Sequence, residues 1–432
     1  KGELPPPLIT DPEEKSHMIQ KTIYHLEQNN IVYWGILSEG EREDYLVLYD
    51  DISHDLEYTC VSFINLDLDW TAVKQDVKNK ILSAESHGEA LGALTRLTYY
   101  LKEGHTMMIP ERLVIDNNLV SGAPCISVNS FNINPLGAWV TPCKDDSLVI
   151  SKVFDSSSPY LWEVGDEIVA VNGIPWLEWR EALEKSSLPI LGSAGANPEA
   201  VEMNWRKSVI RNLHLFTTVS ILRKESGIVD VVRIPDKEFT IQEEYQEAPF
   251  PIEFISGSEI GIGYDALEGG IISGTNIGYI KIHYFDQEVT RLETWDPAET
   301  FFYKEFRSAI ESLWDTDGMI LDLRNHGGGL HHVSYGGLEL LVANPEDQQF
   351  YDVFEKTGPV SFDPYPLLEH PFYSEFPDTS YGKKVFVLTG SECVSGGDLF
   401  TAISSESPEI TVLGTAHNGS FAGHMDDKVY QE

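Results

Sequence analysis

Apolar residues recur at three- and four-residue steps through the first hundred positions of the chain. The segment Met18–Leu26 begins one such series, and Ile81–Leu101 carries another. This spacing places apolar side chains on one face of a helix, so the pattern predicts a largely helical segment from Glu13 to about Lys102. The stretch Tyr45–Tyr49 contains only apolar and aromatic residues, and we predict a short strand there.

A strand-like pattern runs from about Asn134 to Pro235. The segment Val164–Pro175 predicts a strand, a tight turn and a second strand. Within it, Asn172–Gly173 is typical of a two-residue hairpin turn, because both residues adopt positive φ at little cost. A helix is predicted around Trp179–Lys185. We interpret this segment as a small β domain.

From Ile277 onward, short apolar strands alternate with helical segments. The predicted strands are Gly278–His283, Gly318–Arg324 and Lys384–Leu388, and the predicted helices are Ala298–Trp314, Leu338–Ala343 and one that begins at Gly396. Strands that are apolar on both faces are typical of a parallel sheet with helices on both sides. The pattern therefore predicts an α/β core in this part of the chain.

Composition narrows the possible partners. The chain has 432 residues, with 30 Lys and Arg against 69 Asp and Glu, which gives a formal net charge of −39. This charge argues against nucleic acid or an anionic membrane surface, since phosphate binding needs clustered cations. No apolar run approaches the roughly 18 to 20 residues that a membrane-spanning helix needs. The 4 cysteines are too few and too scattered for a zinc site or a disulfide scaffold. We expect no metal and no other cofactor.

The segment Gly390–Asp398, with the sequence GSECVSGGD, is the first candidate for chemistry. It follows a predicted strand and precedes a helix, so it can present Ser395 near a helix N-terminus, where free N–H groups stabilise negative charge. The alternative is that these residues only cap the helix. Ser391 and Cys393 alternate with Ser395, and either would be the exposed group in a shifted register. We interpret Cys393 as a small buried apolar residue.

Two further segments are candidates. Arg324–Gly329, with the sequence RNHGGG, can bring backbone N–H groups close to a ligand, although any tight strand-to-helix turn also uses glycines. Glu103–Thr106, with the sequence EGHT, contains His105, and histidine is the side chain that exchanges protons most readily near neutral pH. His326, His331 and His332 lie in or beside the glycine-rich turn. We interpret them as part of a solvated loop, since no carboxylate or thiol spacing supports a metal site.

Together these motifs resemble a known family. The order EGHT, GDEIVAVNGIP, GMILDLRNHGGG and VFVLTGSECVSGGD is similar to that of the C-terminal processing, or tail-specific, serine peptidases. Asp67–Trp70 resembles the DxDW element of their tricorn-like branch. The resemblance covers about residues 15–432. It implies an N-terminal helical domain at 12–108, an inserted PDZ-like β domain at 134–236 and a crotonase-like (ClpP/crotonase) α/β peptidase core at 255–432.

The resemblance also implies roles for individual residues. Ser395 matches the nucleophile, and His105 matches the general base of the branch whose motif reads DGHT, with Glu103 in place of the Asp. Many members use a Lys about 25 residues after the Ser, but Ser420 stands there, which favours His105. The resemblance implies that Gly396 and either Gly327 or Gly328 would donate N–H groups to the oxyanion. Glu432, at the end of a segment that resembles the family's acid-bearing element, is a candidate for orienting His105.

The implied function is a serine endopeptidase that hydrolyses extended peptides or protein C-termini without a cofactor. Its partner is a peptide or protein substrate, which a PDZ-like domain would bind as an added strand. Two alternatives stay open: a non-catalytic protein that binds peptides or apolar ligands, and a crotonase-like acyl enzyme. The chain begins at Lys1 without an initiator Met, so we expect a processed or cloned start. Members of the family that the chain resembles often work outside the cytoplasm, so the resemblance implies an extracytoplasmic location, in the periplasm, at the cell surface or secreted. Any membrane association would run through an N-terminal anchor outside this sequence.

Overall fold

The chain forms two compact units of mixed α/β structure with several sheets. The first unit contains residues 1–194, 201–249 and 425–432, and the second contains residues 195–200 and 250–424. The computed structural model describes residues 7–60, 68–108, 114–115, 118–119, 123–129, 138–143, 147–153, 160–193, 195–234, 246–247, 252–261, 266–285, 300–329, 337–342, 354–356, 361–364 and 380–419. None of the helices in these ranges is long and apolar enough to span a membrane.

Four helices open the first unit. They are α1 (Pro12–Trp34), α2 (Glu39–Thr59), α3 (Trp70–Ser83) and α4 (His87–Tyr100). Each begins after a polar residue whose side chain accepts a hydrogen bond from a backbone N–H of the first turn; these residues are Asp11, Ser38, Asp69 and Ser86. Helix α4 is buried along most of its length. The predicted helical segment is confirmed.

The predicted strand at Tyr45–Tyr49 is wrong, because these residues lie inside α2. A capping box between Ser38 and Glu41 fixes the start of the helix. The buried side chains of this helix then follow at steps of three and four: Tyr45, Tyr49, Ile52 and Leu56. Helical burial therefore overrides the local preference of an apolar, aromatic run for a strand.

Helix α4 is fixed to the turn at residues 184–188. The buried guanidinium of Arg96 donates to the carbonyl oxygens of Glu184 and Leu188, both at 3.1 Å. Burial lowers the pKa of Arg96. Gly92 lies directly against the carbonyl of Ser187, so that a Cβ at this position would overlap the oxygen. The close approach of helix and turn thus depends on the absence of a side chain at Gly92.

The rest of the first unit is mainly β structure, together with the helix Pro198–Lys207, whose first three residues fall in the second unit. Its elements are β1 (Val114–Ile115), β2 (Asn118–Leu119), β3 (Ile126–Asn129), β4 (Ala138–Pro142), β5 (Leu148–Val153), β6 (Glu167–Val171), α5 (Arg180–Lys185), β7 (Ile190–Gly192), α6 (Pro198–Lys207), α7 (Val209–Asn212), β8 (Thr218–Leu222), β9 (Val229–Arg233) and β10 (Gln246–Glu247). The main sheet has the order β10-β5-β6-β8-β9, with β4 paired to β5, and all its pairs are antiparallel.

The turn predicted at Asn172–Gly173 is confirmed. Asn172 has φ 48° and Gly173 has φ 76°, so both lie in the left-handed region. After the turn, Ile174 pairs with Val171 only as an isolated bridge. The chain then enters a short 3₁₀ turn at Trp176–Trp179.

The second unit is built on a five-stranded sheet. Its elements are β11 (Leu267–Ile271), β12 (Ile277–Ile282), α8 (Phe301–Ser312), β13 (Gly318–Asp322), β14 (Phe354–Lys356), β15 (Phe362–Pro364), β16 (Lys384–Thr389), α9 (Gly396–Glu406) and β17 (Ile410–Gly414). The sheet has the order β11-β12-β13-β16-β17. β11 and β12 are antiparallel, and the other pairs are parallel. Phe302, Phe306 and Phe400 lie in the apolar core of this unit.

The boundaries of the two units differ from those of the three predicted domains. The predicted segments 12–108 and 134–236 fall almost entirely within the first unit, and most of 255–432 falls within the second. The helical segment and the β segment share one unit because α4 packs closely on the 184–188 turn. The individual domain boundaries stay predictions.

Replacing Gly92 with Ala is expected to destabilise the first unit. An alanine normally stabilises a helix, but here its Cβ would overlap the Ser187 carbonyl, so we expect a loss of about 1–3 kcal/mol. The matched control is Gly40→Ala in α2, where nothing lies within 4 Å and a gain of up to about 1 kcal/mol is expected. Urea unfolding of both variants checks the prediction, and equal shifts of the two midpoints would contradict it.

Candidate active site

The parallel strands of the second unit bring four polar segments to one edge of the sheet. β12 is followed by His283, β13 by the glycine-rich turn, β16 by the segment that contains Ser395, and β17 by His417. Because parallel strands β12, β13, β16 and β17 all end at the same edge, residues far apart in sequence come together there. This edge holds the candidate chemistry of the second unit.

Ser395 lies between β16 and α9 in a strained conformation. Its φ is 55° and its ψ is −120°, which is costly for a residue with a Cβ, at about 1–3 kcal/mol. Backbone hydrogen bonds hold the turn, among them Val394 N–H to the carbonyl of His326 at 3.2 Å. Ser395 is the residue before the first turn of α9, yet its side chain makes no capping hydrogen bond to the helix. The side chain of Ser395 therefore does not cap α9.

The glycine-rich turn packs directly on Ser395. Gly328 has φ 90°, and a Cβ at this position would lie 2.9 Å from the Cβ of Ser395 and 3.5 Å from its Oγ. On the other side of the turn, a Cβ at Gly397 would lie 2.5 Å from Nδ1 of His326 and 2.7 Å from Sγ of Cys393. The two segments approach so closely because glycine stands at both positions.

His326 is buried beneath this turn, so its interpretation as part of a solvated loop is wrong. Its side chain has 0% exposure, and its ring lies 4.3 Å from that of Phe285 between centroids. Nδ1 of His326 accepts a hydrogen bond from the N–H of Gly328 at 3.0 Å. Burial lowers the pKa of His326 to about 3, so the ring is neutral at physiological pH. His331 and His332 lie outside the described residues.

The backbone N–H groups of the three predicted oxyanion donors differ in their hydrogen-bond acceptors. The N–H of Gly327 donates to the carbonyl of His283 at 2.7 Å, and the N–H of Gly328 donates to His326. Gly396 is the first residue of α9, and the N–H of such a residue has no acceptor within the helix. Of the three, Gly396 needs no rearrangement of the glycine-rich turn to serve as a donor. The oxyanion role of all three stays a prediction.

His105 belongs to the first unit and follows the end of α4. Lys102 has φ 53°, a left-handed conformation that is common where a helix ends. Glu103 is buried, with 2% exposure, while the side chain of His105 is 40% exposed. Nδ1 of His105 lies 3.1 Å from Oε1 of Glu103.

Glu103 accepts two further hydrogen bonds. Its Oε2 accepts from the backbone N–H of His105 at 2.8 Å and from Oγ1 of Thr106 at 2.9 Å. Burial raises the pKa of Glu103, but the hydrogen bonds and charge of His105 and the hydroxyl of Thr106 outweigh it, so the pKa is lowered. The sequence signal for this contact is the EGHT motif, in which Glu103 stands in place of the Asp of the family motif. Glu432, the predicted orienting acid, lies outside the described residues.

A second contact between an imidazole and a carboxylate lies in the second unit and was missed from the sequence. Nδ1 of His417 lies 2.8 Å from Oδ1 of Asp398, although not at a hydrogen-bonding angle. Asp398 is 1% exposed and stands in the first turn of α9, and the N–H of Asn418 donates to the carbonyl of Cys393 at 2.9 Å. The segment after β17 is thus fixed onto the turn that carries Ser395. The available signal was the position of Asp398, three residues after the serine.

Cys393 is buried, and burial raises the pKa of its thiol to about 12. A thiolate is the reactive form of cysteine, so Cys393 is inert at neutral pH. This confirms its interpretation as a small buried apolar residue. Within the described residues, no group of three or more His, Cys, Asp or Glu side chains is placed to hold a metal ion.

Residues 276–426, which include the whole glycine-rich turn and Ser395, match the sequence model of peptidase family S41. The match covers most of the second unit, and this part of the chain is similar to members of that family. The match supports a serine-type peptidase, and the recognition of the motifs as those of C-terminal processing peptidases is confirmed. No curated protein sequence matches the chain.

Two solved structures of CPAF share the fold of this chain, and a third structure is a match with a lower TM-score. Mature CPAF complexed with lactacystin has 16% identity and a TM-score of 0.56, over 88% of this chain and 85% of that chain. Mature CPAF alone has 16% identity and a TM-score of 0.53, over 88% and 84%. The photosystem II D1 C-terminal processing protease has 14% identity and a TM-score of 0.37, over 89% and 83%.

Replacing Gly328 with Ala is expected to disrupt the Ser395 turn. The new Cβ would lie 2.9 Å from that of Ser395, at a φ that alanine disfavours, so we expect a loss of about 2 kcal/mol or more. The neighbouring variant Gly327→Ala is the control, because its Cβ would meet only the His283 carbonyl at 3.7 Å. Thermal unfolding of the two proteins distinguishes them, and an equal loss in both would refute the packing argument.

The buried imidazole of His326 should make stability depend on pH. In the unfolded chain a histidine binds a proton below about pH 6.5, whereas the pKa of folded His326 is about 3. Its contribution is therefore fully present above pH 6.5 and is lost as the pH falls toward 3, by up to about 1.4 kcal/mol per pH unit.

The test compares the wild type with His326→Asn, whose amide oxygen can also accept from the Gly328 N–H. Unfolding free energies are measured in urea between pH 7 and pH 5. The wild type is expected to lose more stability over this range than the variant. Parallel pH dependences in the two proteins would contradict the assignment.

Proposed function

We propose that this protein is a serine endopeptidase of the C-terminal processing type, with Ser395 as nucleophile and His105 as general base. In this proposal the second unit is a crotonase-like catalytic core of the tricorn-like branch, and the β part of the first unit is PDZ-like. The observation that carries the proposal is the strained turn at Ser395. It stands inside the S41 match, at the carboxyl edge of a parallel sheet, at a helix N-terminus and against a glycine-rich turn.

The position of Ser395 suits nucleophilic attack on a carbonyl. A helix N-terminus presents unpaired N–H groups and a partial positive charge, which stabilise the oxyanion that forms in the transition state. The N–H of Gly396 is one donor in this proposal. The second donor would come from Gly327 or Gly328, after the turn releases the carbonyl of His283 or Nδ1 of His326.

The reaction divides into two steps. Oγ of Ser395 attacks the scissile carbonyl while His105 accepts the hydroxyl proton, and the tetrahedral intermediate collapses to an acyl-enzyme as His105 protonates the leaving amine. Water then attacks the ester, His105 accepts its proton, and the proton returns to Ser395 as the carboxylic acid leaves. An unaided serine hydroxyl is a poor nucleophile, so the imidazole must reach it during turnover.

The proposed substrates are extended peptides and protein C-termini. An antiparallel sheet with an accessible edge can bind an extended peptide as an added strand. The formal net charge of −39 disfavours strongly acidic substrates, because like charges repel during association. The proposed location is outside the cytoplasm, in the periplasm, at the cell surface or secreted.

His417 is an alternative general base, which the contact with Asp398 supports. It lies in the same unit as Ser395, and its Nδ1 is 2.8 Å from a buried carboxylate. We favour His105, because its imidazole is hydrogen-bonded to Glu103 at 3.1 Å and stands in the EGHT motif. The contact between His417 and Asp398 lacks hydrogen-bonding geometry.

Ser395→Ala should abolish both turnover of a peptide library and labelling by a fluorophosphonate probe, because the substitution removes the hydroxyl that attacks. Ser405→Ala is the control on the same helix, since Ser405 is exposed and bonds only to the carbonyl of Ala402. Full turnover by Ser395→Ala would refute the nucleophile. A wild type that binds peptides but neither cleaves them nor reacts with the probe would instead be a binding protein.

The two candidate bases are separated by His105→Gln and His417→Gln. If His105 is the base, its variant should lose probe labelling and turnover by about 10²–10⁴-fold, whereas His417→Gln should retain most of the activity. Rates of fluorophosphonate labelling, measured at the same pH of about 7.5 for both variants, give this comparison without a known substrate. If only His417→Gln loses labelling and turnover, the general base is His417, in the second unit.

A further inference from the structure

We infer that Glu103 is the residue that positions the imidazole of His105, so that the orienting acid of the site stands two residues before the base in the chain. This inference rests on the proposed function, because it gives Glu103 a role only through His105. The conventional arrangement of a serine peptidase draws the acid from elsewhere in the fold. Here the carboxylate comes from the same short turn.

The geometry of the turn carries the inference. One carboxylate oxygen of Glu103 lies 3.1 Å from Nδ1 of His105, and the other accepts from the backbone N–H of His105 at 2.8 Å. The carboxylate therefore fixes both the main chain and the ring of the same residue. Thr106 donates to the second oxygen at 2.9 Å and holds the carboxylate itself in place.

Burial of the Glu103 carboxylate favours the arrangement in which it accepts all of its hydrogen bonds. Glu103 is 2% exposed, so its carboxylate has little water to replace the three hydrogen bonds that it accepts. A buried carboxylate without partners is costly, which favours the arrangement in which all three donors are in place. The side chain of His105 is 40% exposed, so the ring extends from the buried anchor toward solvent.

The contact also selects a tautomer. A carboxylate accepts hydrogen bonds, so it stabilises the form of His105 in which Nδ1 carries the proton. In that tautomer Nε2 has the lone pair that a general base needs. When the ring becomes an imidazolium during the reaction, the same carboxylate stabilises the new charge. Glu103 is thus a positioning residue that acts on the substrate only through His105.

The test uses the full chain with Glu103→Gln, Glu103→Asp and a matched control. The control is Glu89→Gln, the same substitution at the other end of α4, where Glu89 accepts from the backbone N–H groups of Glu85 and Ser86. Glu103→Gln should lower kcat by about 10²-fold or more with little change in KM, because the amide does not stabilise the imidazolium. Glu103→Asp should restore activity to within about tenfold of the wild type, since it keeps the charge.

A second readout needs no activity. Proteins labelled with ¹⁵N-histidine report the tautomer of each ring, and the His105 signal is identified by its absence in His105→Gln. The wild type should show His105 protonated at Nδ1, and Glu103→Gln should shift it toward the ordinary Nε2-protonated form. A purely structural role for Glu103 would lower the stability of the protein without moving this signal. Unfolding followed by circular dichroism measures that loss of stability separately.

The outcomes are distinguishable from failure of the proposed function. If His105→Gln is inactive while Glu103→Gln keeps the wild-type kcat, the base stands and the inference about Glu103 is overturned. If His105→Gln keeps full activity, the proposed base is wrong and Glu103 has no positioning role. An unchanged tautomer in Glu103→Gln also overturns the inference. Loss of kcat with a shifted tautomer, partly restored by Glu103→Asp, supports it.

Discussion

The second unit depends on one close contact between two backbone turns. Gly328 packs against Ser395 so tightly that a single added carbon would lie 2.9 Å from the serine Cβ. This contact requires left-handed φ values on both sides, at Gly328 and at Ser395. The parallel strands make the contact possible, because β13 and β16 are neighbours that end at the same edge. A strained serine is tolerated here because the surrounding turn is fully packed.

Burial of His326 couples this geometry to electrostatics. Its ring stays neutral because burial penalises the imidazolium, and a neutral Nδ1 can accept the N–H of Gly328. The same hydrogen bond occupies that N–H. In the proposed function, the turn must therefore exchange an internal acceptor for the oxyanion of the substrate. Such an exchange needs little energy if the new acceptor carries a charge, since charge-assisted hydrogen bonds are the stronger ones.

The local sequence and the tertiary fold contribute differently to the positions of the proposed base and the proposed nucleophile. Glu103 and His105 form a site within four consecutive residues, whose shape follows from the end of a helix and one left-handed residue, Lys102. Ser395, in contrast, depends on strands that lie more than sixty residues apart in sequence. The short EGHT motif can therefore fix the contact between Glu103 and His105 by itself. The turn that carries Ser395 requires the folded sheet.

The sequence by itself determined the largely helical first segment, the alternating strands and helices of the second half, and the motifs that match family S41. These follow from local periodicity and from residues adjacent in the chain. It did not determine that Tyr45–Tyr49 is helical, that His326 is buried, or that His417 lies beside Asp398. Those features depend on burial and on which strands are neighbours, and both arise only when distant segments pack together. For that reason only the tertiary structure could decide them.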